Sequence, residues 1–238
     1  MSMKTHFRHI ISIGLLFASL VGSGGAWAVD CPQNSYTLTT QAAVDAFPQG
    51  CDSLLGGLTV GNSTDITNLD GLANLTSVGG DLSIPGNGSL TNLDGLVSLT
   101  SLGGGLSIFG NGSLTNLDGL ANLTSVGGDL SIKSNGSLTN LDGLANLTSV
   151  GGDLNISGNG FFTNLDGLVS LTSLGGGLYI NFERLTNLDG LANLTSVGGL
   201  LSILGNDALT NLDGLANLTS VGGGLSIQSN TRLTNCQG

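Results

Sequence analysis

The sequence predicts an all-β protein, a parallel β-solenoid of 24-residue coils closed at its N-terminal end by a short capping helix. Three observations carry that expectation. A 24-residue unit, seen in LTNLDGLANLTSVGGDLSIKSNGS from Leu114 to Ser137, recurs seven times between Ile66 and Arg232 with one deletion, and repetition at such a period marks a stacked architecture. Within each copy the apolar residues fall three apart, as in Leu90, Leu93, Leu96, Leu99 and Leu102. They then fall two apart, as in Leu106 and Ile108. A spacing of two is that of a short strand with one buried face. A spacing of three fits neither a strand nor a 3.6-residue helix and suits an extended, turning backbone that returns every third side chain to a core.

At the N-terminus, Lys4, His6, Arg8 and His9 precede the apolar run IISIGLLFASLVG. Ala26-Trp27-Ala28 has the small-x-small form of a secretory cleavage site, so residues 1–28 read as a signal peptide. The apolar run is shorter than the ~20 residues that span a bilayer, and no comparable run follows. Asp30, before Cys31, departs from a lipoprotein signal. The mature chain is therefore expected to be secreted or held at the cell surface, without a membrane span. Residues 29–53 read as an N-terminal cap. Thr40 is placed to cap a short helix over residues 41–47, ended by Pro48 and Gly50, whose Ala, Val and Phe side chains would cover the first coil. Cys31 and Cys51 flank that helix, and in an exported chain they are expected to form a disulfide.

Residues 54–238 are the repeat solenoid. If each copy makes one circuit, Leu82-Ile84, Leu106-Ile108, Leu130-Ile132, Leu154-Ile156, Leu178-Ile180, Leu201-Ile203 and Leu225-Ile227 lie side by side in a parallel sheet. Leu58 and Val60 add an earlier rung. The Gly-Gly pair before each strand, such as Gly79-Gly80, is expected to supply backbone angles closed to other residues. Asn87, Asn111, Asn135, Asn159, Asn206 and Asn230 lie three residues beyond the strand isoleucine. There, stacked amides would bond one another and the turn backbone. Ser63 and the shortened NFER segment break that column. A C-terminal cap is expected to be lacking, and the odd cysteine, Cys236, to join a downstream segment or a partner chain, or else to remain a free thiol.

Units such as GGDLSIPGN followed by LTNLDGLANLTSVGG resemble the leucine-rich repeat. They resemble still more closely the receptor L domain, whose units read approximately GxLxI, an Asn and a run of spaced leucines. The likeness covers about residues 51–235, and CPQNSYTLTTQAAVDAFPQGC is similar to that family's opening helix and cysteine. The near identity of the copies also resembles exported bacterial repeat proteins. The resemblance implies a parallel β-solenoid. Receptor members of the family bind protein hormones, but only scaffold positions match here, so no contact residue is implied.

Composition narrows the function. Beyond residue 28 only Lys133, Arg184 and Arg232 stand against all sixteen acids, a net charge of −13. Such a surface repels nucleic acid and anionic lipid, whose binding rests on basic residues that release counterions. No histidine remains there, and no nucleophile stands beside a base, so neither catalysis nor a cofactor is expected. Asp70, Asp94, Asp118, Asp142, Asp166, Asp189 and Asp213 form a column that calcium could bridge. Calcium takes ~6–8 oxygens in recognisable loops, and the column reads instead as turn residues. Threonine rows at Thr91, Thr115, Thr139, Thr163, Thr186 and Thr210, and again from Thr76 to Thr219, raise an ice-binding solenoid as a lesser alternative. Hydroxyls at bends more simply serve the backbone. Asn-x-Ser/Thr triplets, including Asn74-Leu75-Thr76 and Asn87-Gly88-Ser89, follow from the repeat.

The copies differ where a recognition surface would. By alternation the residue after the strand isoleucine points outward, and it reads Gly61, Pro85, Phe109, Lys133, Ser157, Asn181, Leu204 and Gln228 beside a nearly constant core. At the irregular coil, Phe161, Tyr179, Asn181, Phe182, Glu183 and Arg184 gather several of the scarce aromatics, whereas Phe162 takes a leucine position in the core. Exposed aromatics and Arg are common anchors. Phe109, Lys133, Tyr179, Asn181, Phe182 and Arg184 are thus the candidate ligand-binding residues of an exported, noncatalytic module for protein or glycan binding or adhesion at the cell surface. The competing reading is a spacer, whose seven coils at ~4.8 Å each would span ~34 Å.

Overall fold

A computed structural model describes residues 31–159 and 162–234. The signal-peptide segment, Phe161 and Cys236 lie outside the described residues. The chain winds into a parallel β-solenoid with two sheets. Among the described residues, the longer sheet has nine parallel strands, running in chain order from Tyr36–Leu38 and Leu58–Val60 through Leu82–Pro85, Leu106–Phe109, Leu130–Lys133, Leu154–Ser157, Leu178–Asn181 and Leu201–Leu204 to Leu225–Gln228. Register follows the repeat: Leu106 pairs with Leu130, Ile108 with Ile132, and Phe109 with Lys133. Eight two-residue strands among the described residues, from Ser53–Leu54 to Ser220–Val221, form a second parallel sheet. A Ser-Val or Ser-Leu pair is too short to show alternation in sequence, and the first strand, Tyr36–Leu38, lies outside the repeat.

The leucines spaced by three line one core. Leu90, Leu93, Leu96, Leu99, Leu106 and Ile108 are all buried, each such side chain contributing about 1.5–3 kcal/mol of burial. Across the middle of the run, from Leu93 to Leu99, the period has a definite origin. Asp94–Leu96 and its equivalents form 3-10 turns, in which Leu96 N–H donates to Leu93 O at 2.8 Å and Leu99 N–H donates to Leu96 O at 2.9 Å. Three residues per turn is the 3-10 repeat, so this stretch is tighter than the extended backbone its spacing suggested.

The glycine pair acts differently from the expectation. Neither Gly79 nor Gly80 adopts a left-handed conformation; a methyl group on Gly79 would overlap the Leu55 carbonyl oxygen, and one on Gly103 would overlap that of Gly79. These glycines let neighbouring coils approach. Positive φ occurs instead just before the asparagine column, at Gly86, Gly110, Ser134, Gly158, Gly205 and Ser229, with φ of 57 to 70°. In the irregular coil that residue is the one deleted, so Phe182 directly follows Asn181 and takes the column position.

Asn87, Asn111, Asn135, Asn159 and Asn206 are buried, Asn230 is half-buried, and the bonds of the column tie each coil to the next. Asn111 N–H donates to Asn135 Oδ1 at 3.0 Å, while Asn135 Nδ2 donates to Ile108 O at 3.0 Å. Where Phe182 replaces asparagine, its backbone N–H still donates to Asn206 Oδ1 at 2.8 Å.

The N-terminal end is covered. A helix spans Gln41–Asp45, shorter than residues 41–47, and the Thr40 side chain accepts from Ala43 N–H at 3.2 Å. Val44 and Phe47 are buried in the core, and Tyr36 meets Phe47 edge-on with ring centroids 5.0 Å apart. Cys31 and Cys51 form a disulfide, with Cα atoms 4.7 Å apart. At the other end of the described chain, Leu225 is exposed beside Leu215, Leu218 and Val221.

Candidate binding face

Most polar columns are spent on the solenoid itself. Thr100, Thr124 and Thr148 each donate Oγ1 to the carbonyl of the threonine one coil back, at 3.1, 3.1 and 3.0 Å. Asn122 and Asn146 donate their amides to Val97 O and Ala121 O at 2.8 and 2.7 Å. In the acidic turns the local bond comes from asparagine: Asp118 N–H donates to Asn116 Oδ1 at 3.1 Å, and Asp118 itself is exposed. Among the described residues, no group of three or more His, Cys, Asp or Glu is placed to hold a metal ion. The triplets beginning at Asn87, Asn111 and Asn135 carry buried asparagines.

The outer face of the long sheet is different. Its strands alternate, so Leu106 and Ile108 enter the core while Ser107 and Phe109 face outward. Phe109 is 52% exposed, and Lys133 stands opposite it on the next strand, half-buried. Two strands further, Tyr179 and Asn181 lie on one strand, Asn181 exposed and Tyr179 half-buried. Phe109 and Asn181 are three strands apart, ~14 Å at ~4.8 Å per strand. The Tyr179 ring lies over Gly177, whose missing side chain makes room for it.

Phe182 is a correction to the candidate set. Its ring is buried, 4% exposed, and packs edge-on against Phe162 at 5.4 Å between centroids. Loss of the left-handed residue turns this side chain inward, where two aromatics fill the core. Arg184 is exposed in the turn that follows, outside the strand carrying Tyr179 and Asn181. The face therefore brings together Phe109, Lys133, Tyr179 and Asn181, with Arg184 beyond its edge.

Two further positions belong to this face. Asn155, paired with Ser131 on one side and Tyr179 on the other, has its Oδ1 buried with no partner among the described residues. Its sequence signal was an asparagine in a column otherwise mostly serine. The second is Gly105, which stands where neighbouring coils carry Asp81 and Asp129.

The strands, registers and ladders together define a leucine-rich-repeat-like parallel β-solenoid. No family model matches the chain, and no curated protein matches it. Among solved structures it is similar to an internalin from Listeria monocytogenes, at 18% sequence identity and a TM-score of 0.33, over 83% of this chain and 70% of that one.

Proposed function

We propose that this protein is an exported, noncatalytic repeat module that binds a protein or glycan at the cell surface through the outer face of its long sheet. The observation that carries the reading is the division of labour among its columns. Threonine, asparagine and glycine columns serve bonds and close contacts between coils. The outward column instead changes chemistry from Pro85 to Phe109 to Lys133 while the register stays constant. A face that pairs an exposed aromatic with polar and charged neighbours suits recognition.

The test is a variant with Phe109, Lys133, Tyr179 and Asn181 all replaced by Ser, screened beside the parent on printed glycans and a panel of purified extracellular proteins. The expected outcome is an unchanged circular-dichroism spectrum with capture lost. Capture equal to the parent's rejects this face, and a parent that captures nothing favours the spacer.

A further inference from the structure

A hollow of about 500 Å³ opens on the long sheet around Gly105 and Ser107. It lies where glycine stands just before the strand, whereas the coils before and after carry Asp81 and Asp129 at that position, and both of these line it. Each carboxylate is fixed by the scaffold. Gly105 N–H donates to Asp81 Oδ1 at 2.7 Å, and Asp153 N–H donates to Asp129 Oδ1 at 2.8 Å. Among the described residues no hydrogen bond engages the second oxygen of either. Ser83, Ser107 and Ser131 run in a row across three strands, ~4.8 Å apart. Among the described residues no hydrogen bond engages their hydroxyls, in contrast to Thr100 and Ser113, which donate to carbonyls of a neighbouring coil. Two residues beyond Ser107, Phe109 stands exposed with Lys133 beside it.

We propose that this hollow, together with Phe109 two residues further along the strand from Ser107, is a subsite for a neutral oligosaccharide. Positioned carboxylate oxygens accept charge-assisted bonds from sugar hydroxyls. Serine hydroxyls both donate and accept, matching the dual capacity of a sugar hydroxyl. The phenyl ring offers an apolar surface to the C–H face of a pyranose. An apolar peptide anchor seated here would bury the second oxygen of each carboxylate with no donor to meet it, which is costly. A uronate or phosphate would meet both carboxylates against the single ammonium of Lys133, within a strongly acidic chain. The inference rests on the reading of this face as a binding surface and narrows its ligand.

Two variants separate the roles. Asp81→Asn with Asp129→Asn keeps an acceptor for each backbone N–H while converting the free oxygen to a donor. Gly105→Leu fills the hollow with the side chain that Leu200 places at the equivalent position. Both are compared with the parent and an Asp94→Asn control on an array of neutral oligosaccharides with their amine- and carboxylate-bearing counterparts, alongside purified proteins. The expected result is capture of neutral probes by the parent and the control, weakened about tenfold or more by the double amide and abolished by Gly105→Leu. Neutral-sugar capture that survives both variants overturns the subsite, as does exclusive capture of amine-bearing or carboxylate-bearing probes. Capture of purified protein alone also overturns it and leaves the wider binding reading standing; capture of nothing overturns both.

Discussion

Asn135 joins three coils with one side chain. It accepts from Asn111 N–H and donates to Ile108 O, while its own N–H donates to Asn159 Oδ1 at 2.9 Å. Replacing it with alanine leaves a buried donor and a buried acceptor unpaired, so Asn135→Ala is expected to lower stability by about 3 kcal/mol. Asp118→Asn, in an exposed turn, is expected to change it by less than about 0.5 kcal/mol. Urea unfolding of the two variants checks the difference; equal losses would remove the ladder from its structural role. The asparagine ladder was legible because one residue type recurred where the chain leaves a strand. Phe182 was misleading for the same reason: counting along the repeat placed an aromatic in an irregular, outward segment, and nothing in the letters showed that the missing residue was the left-handed one.

The cap is held to the first coil by polar groups as well as by Val44 and Phe47. Thr67 N–H donates to Gln41 Oε1 at 2.9 Å, and Gln41 N–H donates to Asp65 Oδ2 at 3.3 Å. Ser63 Oγ donates to Asp65 Oδ1. That serine bond, with help from the Gln41 N–H, holds the Asp65 carboxyl below its ordinary value. The contribution is therefore present above the usual carboxylate value and lost as pH falls through the lower folded value. Acid titration followed by hydrogen exchange at Gln41 and Thr67 is expected to show their protection fading in that range. An Asp65→Asn variant is expected to lack the pH dependence, and an identical acid profile in both would refute the clasp. The disulfide adds about 3 kcal/mol by constraining the unfolded chain. At this scale the strands of the long sheet and the helix start were readable, since alternation spans several residues and Thr40 is a strong cap. The 3-10 turns and two-residue strands were not, because elements of two or three residues carry no period of their own.

Over the whole molecule, a constant interior supports a varied exterior. Stacked identical coils need the same contacts at every interface, which is why Gly79, Asn135 and Leu99 recur while Phe109, Lys133 and Asn181 do not. A spacer would use only the first group, and a binding module also uses the second. The outward column of the candidate site was visible in the alternation of each strand, but the hollow at Gly105 was not, since it depends on side chains two coils apart in the stack. Hydroxyl-radical footprinting with and without a captured ligand separates the two uses directly. Phe109, 52% exposed on the sheet face, has matched controls in Val97 and Val169, 46% and 45% exposed at the ends of 3-10 turns. Binding through the long sheet is expected to protect Phe109 and Tyr179 while Val97 and Val169 stay as reactive as before; protection of the valines with Phe109 unchanged would contradict it.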